Sequence, residues 1–440
     1  MRVSALLLRG AFAATALGVS TPLVAQPTLT WIPGSSVKLE QVTGDCDWAV
    51  LAATKTCKPT ASLTITRFNI GGQDVGITFE DQGRMLFFFG DTISGSTNPV
   101  DYHAHDAFAW STTAGGEDPL LLTYFTNNDG SPMFVQPLNS DGSKVPMGPD
   151  DIPNAGINLG GQNYIVVNTG ADTSLAVPHQ NSYSVLVRFD ETAKTFTAGR
   201  TISSTPAGGH FVFPALYELP PQFVLPQLGP GVVMFGMGSF RASDIFLAYI
   251  PTGTFWSGSG TVYYTGVKNG QPGWSSSESA AVPIVVDHPL GGPAWPNDSP
   301  TIGNVSVAYS ADLNLWMMTF DGGRNQPSTN GIYFSYAPAP WGPWAKPQLI
   351  FNAARDHGDG VFIYAPGLNP PGPAGPTIGG NDPTTTHGAT YAPQLIGRFT
   401  RVTGNTVEIY YNISTWNPYA IVKMRSSFTI TPIRRRAAKQ

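Results

Sequence analysis

The chain alternates short apolar runs with turn-forming residues. Five pieces of it read as a strand, a turn and a returning strand. Asp74-Val75-Gly76-Ile77-Thr78-Phe79 turns at Asp81-Gln82-Gly83 and returns through Leu86-Phe87-Phe88-Phe89 to Gly90-Asp91-Thr92. Asp106-Ala107-Phe108-Ala109-Trp110 starts a second unit. Phe211 to Leu216, returning as Val232 to Gly236, makes a third. Val305 to Tyr309 returns as Leu315 to Phe320, and Tyr391 to Ile396 returns as Val407 to Tyr411. Further strand-like runs lie between them, at Tyr183–Phe189 and Gly331–Ser335. No stretch holds a helical period for three turns. Repeated small antiparallel sheets predict an all-β, five-bladed β-propeller. The competing architecture is a pair of two-layer sandwiches.

Composition supports this. Of 440 residues, 49 are Gly and 39 Pro, while only 12% are charged, which excludes a helical bundle. The apolar share of 41% excludes a disordered chain. The formal charge is −5, and the single basic cluster is the terminal Arg434-Arg435-Arg436 and Lys439, so no nucleic-acid partner is expected. A mildly acidic protein suits a neutral substrate better than a polyanion.

The first 25 residues read as a secretory signal: Arg2 and Arg9 around Leu6-Leu7-Leu8, an apolar stretch from Ala11 to Val19, then Leu23-Val24-Ala25 before Gln26. Residues 26–433 then form one propeller domain and residues 434–440 a basic tail. The mature chain is expected to be secreted or periplasmic, monomeric and free of membrane. In that compartment Cys46 and Cys57, with ten residues between them, predict a disulfide stapling an N-terminal loop. The segment from Pro366 to Gly388 is rich in Pro, Gly and Thr and predicts a long surface loop.

Propellers bind ligands where innermost strands begin. Here that rim would hold Asp74, Asp106, His210, Asn304 and Tyr391. Asp74 and Asp91 border one hairpin and suit acid–base work, one carboxyl protonated and the other ionised. Asp91 follows three phenylalanines, a low-dielectric setting that raises a carboxyl pKa and favours it as proton donor. Trp295, Trp341, Trp344 and Trp416 lie in Gly-, Pro- and Asn-rich contexts that suit stacking on sugars. His103, His105 and Asp106 form an H-x-H-D run without a third ligand placed by sequence, so no metal site is assigned. No cofactor is expected, and a channel Ca²⁺ has no support. Serine-hydrolase, nucleotide and zincin motifs are absent.

Several segments resemble one family. Thr66-Arg67-Phe68, Gly72-Gln73-Asp74-Val75-Gly76 and Phe89-Gly90-Asp91-Thr92 resemble the N-terminal signature of the domain of unknown function 4185 family. Trp341-Gly342-Pro343-Trp344, Tyr391-Ala392-Pro393 and Ser414-Thr415-Trp416-Asn417-Pro418-Tyr419 resemble its C-terminal half. The resemblance implies a five-bladed propeller glycoside hydrolase. Characterised members are endo-D-arabinanases that cut the D-arabinan of mycobacterial arabinogalactan and lipoarabinomannan. It also implies anomeric inversion and two essential aspartates, which map onto Asp74 and Asp91. The chain departs from the usual pattern in its 366–388 insertion and in His103 and His105.

The combined expectation is an exported hydrolase of a furanose polysaccharide. Asp74 would be the base and Asp91 the acid, with Arg67, Asp106, His210, Asn304, Tyr391 and Trp416 holding sugar. The alternatives are a glycan-binding propeller without catalysis, and a hydrolase of a pyranose or L-arabinose polymer.

Overall fold

A strand pressed between two apolar layers must be apolar on both faces. The run Met85-Leu86-Phe87-Phe88-Phe89 is such a strand, and all five side chains are buried. Its alternate residues serve two cores. Met85, Phe87 and Phe89 pack toward Tyr410 and Ile421, whereas Leu86 and Phe88 pack toward Ile165, Val187 and Phe189. Leu315-Trp316-Met317-Met318 divides in the same way, as does Val232-Val233-Met234-Phe235. Five main core clusters result, one at each seam between neighbouring sheets.

The computed structural model describes residues 27–95, 105–171, 181–286, 301–323, 327–378 and 381–431. The signal segment, the basic tail, His103 and Trp295 lie outside the described residues. Five sheets are arranged as a five-bladed β-propeller. Blade 1 contains Ile77–Asp81, Arg84–Asp91, Asp106–Ser111 and Thr123–Tyr124. Blade 2 contains Pro153–Leu159, Gln162–Thr169, Tyr183–Asp190 and Thr195–Ser204, with Pro137–Leu138 added in parallel. Blade 3 runs from Phe213–Glu218 to Gln271–Ser275 and blade 4 from Val305–Ser310 to Gln348–Phe351. Blade 5 joins Thr390–Leu395, Thr406–Trp416 and Tyr419–Thr431 to Thr28–Trp31 and Val37–Gln41, so strands from both ends of the described chain close the ring. The first strands of the five blades touch in a closed circle, which excludes the paired sandwiches.

One expected unit is misplaced. Asp106–Ser111 does not open a blade; it is the third strand of blade 1, paired with Arg84–Asp91. The true opening strand of blade 2, Pro153–Leu159, has no apolar run. It borders the channel and carries Asn154, Gly156 and Asn158.

Cys46 and Cys57 are joined, with Cα atoms 5.1 Å apart. The loop they close holds the short helix Trp48–Thr54, capped by the Asp47 carboxylate on the N–H groups of Ala49 and Val50. Among the described residues no helix is long and apolar enough to cross a membrane.

Candidate active site

Asp74 and Asp91 come together because their backbones are adjacent. The Gly90 N–H donates to the Asp74 carbonyl at 3.0 Å. A side chain at position 90 would place its Cβ 2.3 Å from Asp74 Oδ1, so glycine is required between the phenylalanines and Asp91. Both carboxyls line a pocket of about 330 Å³ at the channel mouth. Each has one oxygen, Oδ1, that is buried without a hydrogen-bond partner among the described residues. Orphan buried acceptors are rare in folded proteins, and these two belong to carboxyls that line one pocket.

The rest of the wall comes from the other blades. Asp150 precedes the first strand of blade 2, and Arg241 lies in the loop between the second and third strands of blade 3. Asn304 precedes the first strand of blade 4, while Tyr391 and Trp416 come from blade 5. Ile378, from the 366–388 loop, also lines the pocket, so that loop contributes to the wall. Asn417 anchors the loop by donating to the Pro383 and Thr386 carbonyls, each at 2.8 Å, and by accepting from the Gly375 N–H.

Polar contacts fix the walls. The Tyr391 hydroxyl donates to Asp74 Oδ2 at 3.0 Å. The Tyr419 hydroxyl donates to the Asp91 carbonyl at 2.7 Å. Asp321 accepts from the Asn304 and Ala392 N–H groups at 2.8 and 3.2 Å, and its other oxygen is 3.7 Å from Arg241 Nε. The Arg241 guanidinium lies over the rings of Phe240 and Tyr391. Backbone strain gathers here. Val75, Asp150, Arg241 and Ala392 are non-glycine residues with φ of 60°, 65°, 56° and 48°. Each such conformation costs on the order of 1–3 kcal/mol.

The two carboxyls have different environments. Burial raises the Asp74 pKa to about 7. The hydroxyls of Tyr391 and Tyr419 oppose that rise, the Asp150 charge adds to it and Arg241 counters it. Asp91 is pushed well above the usual carboxylate range, by burial first and then by the charges of Asp74 and Asp150. The arrangement favours a proton on Asp91 and an ionised Asp74.

The other predicted residues divide. Asn304, Tyr391 and Trp416 line the pocket. Asp106 stands behind it, directly across the strand pair from Asp91 and 1% exposed. Burial and the charges of Asp91 and Asp74 raise its pKa strongly, so it adds a neutral neighbour and does not touch the pocket. Arg67 is outside: its guanidinium donates to the Ser62 and Leu122 carbonyls at 2.9 and 3.1 Å and covers Phe68. His210 is outside as well, its ring stacked on Phe246 with centroids 3.9 Å apart. Trp341 and Trp344 pack on Phe223 and Phe235 in the seam between blades 3 and 4. His105 stacks on Phe134. Among the described residues no three His, Cys, Asp or Glu side chains are arranged to hold a metal ion. Sequence reading missed Asp150, Arg241 and Asp321.

Solved structures of similar shape have low identity. A candidate hydrolase from Bacteroides ovatus is 12% identical with a TM-score of 0.48, covering 90% of this chain and 93% of that one. An alpha-L-arabinofuranosidase from Podospora anserina in complex with cellotriose is 11% identical with a TM-score of 0.39, covering 93% and 97%. An exo-beta-1,3-galactanase from Phanerochaete chrysosporium with galactose is 7% identical with a TM-score of 0.42, covering 92% and 65%. No curated protein matches this chain. Residues 60–425, a span that includes the first strand of every blade and every pocket residue named above, match the family described as domain of unknown function 4185, and the chain belongs to that family.

Proposed function

We propose that the protein is an exported glycoside hydrolase that cleaves a furanose polysaccharide, with the D-arabinan of mycobacterial arabinogalactan as the first candidate, by anomeric inversion. The observation that carries the reading is the buried pair Asp74 and Asp91. Both line one pocket, each keeps a buried oxygen without a partner among the described residues, and their environments separate a proton donor from a proton acceptor. The family resemblance supports the substrate, and the disulfide supports an oxidising compartment.

In this mechanism a sugar ring rests against Trp416, which shares the wall with both aspartates. Neutral Asp91 gives its proton to the glycosidic oxygen as the bond to the anomeric carbon breaks. Ionised Asp74 takes a proton from the water that attacks the opposite face of that carbon. Tyr391 and Arg241 hold Asp74 in its ionised form, the first by a hydrogen bond and the second by charge. Inversion needs room for that water, with carboxyl groups about 6.5–9.5 Å apart in the substrate complex.

The test is reducing-end release from purified mycobacterial arabinogalactan by the mature protein, with Asp91→Asn and Asp74→Asn alongside. Oligosaccharides from the wild type and from neither variant are expected, with the inverted anomer first in the NMR spectrum. Wild-type rates in both variants, on every furanan the wild type cleaves, would refute the assignment. Binding of the polymer without release would identify a glycan-binding propeller instead.

A further inference from the structure

We propose that Ser414 and Asp321 are positioning residues that clamp two strained turns and thereby aim the Tyr391 hydroxyl at Asp74. The proposal rests on Asp74 being the base of the reaction described above. The two turns are placed alike. Val75 directly follows Asp74 and has φ 60°, a region that β-branched residues avoid. Ala392 directly follows Tyr391 and has φ 48°. Each turn is tied through its own N–H to a buried side chain on another strand. Val75 donates to Ser414 Oγ at 2.8 Å, and Ala392 donates to Asp321 Oδ1 at 3.2 Å.

Both acceptors are held firmly. Ser414 is fully buried, and Asp321 is 2% exposed. Ser414 lies directly opposite Tyr391 in the strand pair, so one residue touches the turn after Asp74 and adjoins the residue that contacts Asp74. The pairing is irregular between Tyr391 and Gln394, the kind of bulge that re-aims a side chain beside a site. Asp321 also accepts from Asn304, and its second oxygen faces Arg241. It therefore links the loop of blade 3 to the first strands of blades 4 and 5. Neither residue lines the pocket, so neither is placed to touch substrate.

Without the acceptor, Val75 or Ala392 would relax toward an ordinary backbone region. The Cα–Cβ bond of Asp74 or Tyr391 would turn with it, and the 3.0 Å bond between them would be lost. That bond is one of the contacts holding Asp74 in its ionised form.

The experiment follows the Asp74 carboxyl directly, by carbon-detected NMR titration, in wild type, Ser414→Ala and Asp321→Ala, since asparagine at 321 would still accept from the Ala392 N–H. This readout needs no substrate, so it stands if the assigned activity fails. Each variant is expected to raise the Asp74 midpoint by at least about half a unit. On an active substrate, kcat at pH 6 should fall at least about threefold, the factor a half-unit rise gives below the midpoint, with KM within about twofold, as for an effect expressed in the chemical step. Glycine at position 75 carries no such strain, so Val75→Gly should largely abolish the effect of Ser414→Ala. A folded Ser414→Ala or Asp321→Ala protein with an unmoved Asp74 midpoint would overturn the proposal. So would failure of both variants to fold while Asp74→Asn folds, because the two residues would then serve stability alone.

Discussion

The blade seams and the channel mouth use the same strands for opposite ends. In blade 1, Leu86 and Phe88 bury their side chains in one seam while Met85, Phe87 and Phe89 fill the next. Two residues past Phe89 the same strand ends at Asp91, a carboxyl buried with an unpartnered oxygen. The seam stabilises the fold. The mouth carries strained backbone and buried acids, and both oppose folding. A site that must strip water from two carboxyls depends on stability supplied elsewhere.

The sharpest way to break that division is to remove one acid. Asp91→Asn should lower kcat on the cleaved polymer by about 10²–10⁴-fold, the scale of a lost general acid. Thermal stability should not fall, because an amide has no charge to bury. A loss of both activity and stability would mean that Asp91 also supports the fold. Next in size is the reverse experiment. Phe88 is fully buried, with the rings of Phe108, Phe79 and Phe189 at 5.3, 5.9 and 6.2 Å. Phe88→Ala should cost about 3–5 kcal/mol in urea unfolding. Any folded fraction should keep its rate per active molecule. A cost under about 1 kcal/mol would show that the seam repacks and is not the source of stability.

The same contrast explains what the sequence reveals. Seam strands announce themselves, since both faces are apolar and a run such as Phe87-Phe88-Phe89 has few other uses. Channel strands do not. Pro153–Leu159 has asparagine and glycine at alternate positions, because that face meets blade 1 with polar and close contacts: Asn158 donates to Asp81, and the Phe79 ring leaves no room for a side chain at Gly156. Without an apolar signal from that strand, the pattern places Asp106 at a blade start and gives Asp150 no mark. Yet Asp150 stands before Pro153 much as Asp74 stands before Ile77, so the correct blade start would have found it. Arg241 and Asp321 had no local signal. Arg241 meets Asp74 and Tyr391, and Asp321 meets Ala392 and Arg241, only through closure of the ring. Arg67 and His210 misled for the converse reason. Their polar groups lie near blade starts in sequence but meet carbonyls and a phenylalanine ring in space.

A third test measures the mouth's opposition to folding by pH. The folded Asp74 pKa is raised to about 7, against about 3.9 in an unfolded chain. Below about pH 4 both states hold the proton, and this group costs nothing. Between about pH 4 and 7 the unfolded chain releases it while the folded chain keeps it, so stability declines as pH rises. Above about 7 both are ionised and the loss levels off, at a total on the order of 4 kcal/mol. Urea midpoints at pH 4, 5, 6 and 7 should therefore fall in the wild type and fall less in Asp74→Asn. Asp91 and Asp106, whose carboxyls burial also raises, add to the decline. Equal slopes in wild type and variant would remove Asp74 as a source of the decline.

The smallest effect belongs to a region that is neither seam nor mouth. The Cys46–Cys57 bridge closes a short loop around the helix Trp48–Thr54. Closing so short a loop restricts the unfolded chain by about 2–3 kcal/mol in the chain-entropy account. The bridge also shapes the N-terminal knot. Asp45, beside Cys46, accepts from the Ile65 and Thr66 N–H groups at the start of helix Thr64–Phe68. That helix leads into Ile70–Gly72, which pairs with Ile93–Ser94 just beyond Asp91. A path therefore exists from the staple to the hairpin that carries Asp74 and Asp91, and the question is whether strain travels along it. Cys46→Ser/Cys57→Ser should lower the unfolding free energy by that amount in urea titrations and leave kcat within about twofold, because the Phe87 and Phe89 rings hold the hairpin independently of the loop. A tenfold loss of kcat in the folded double variant would show that the mouth depends on the N-terminal knot as well as on its seams.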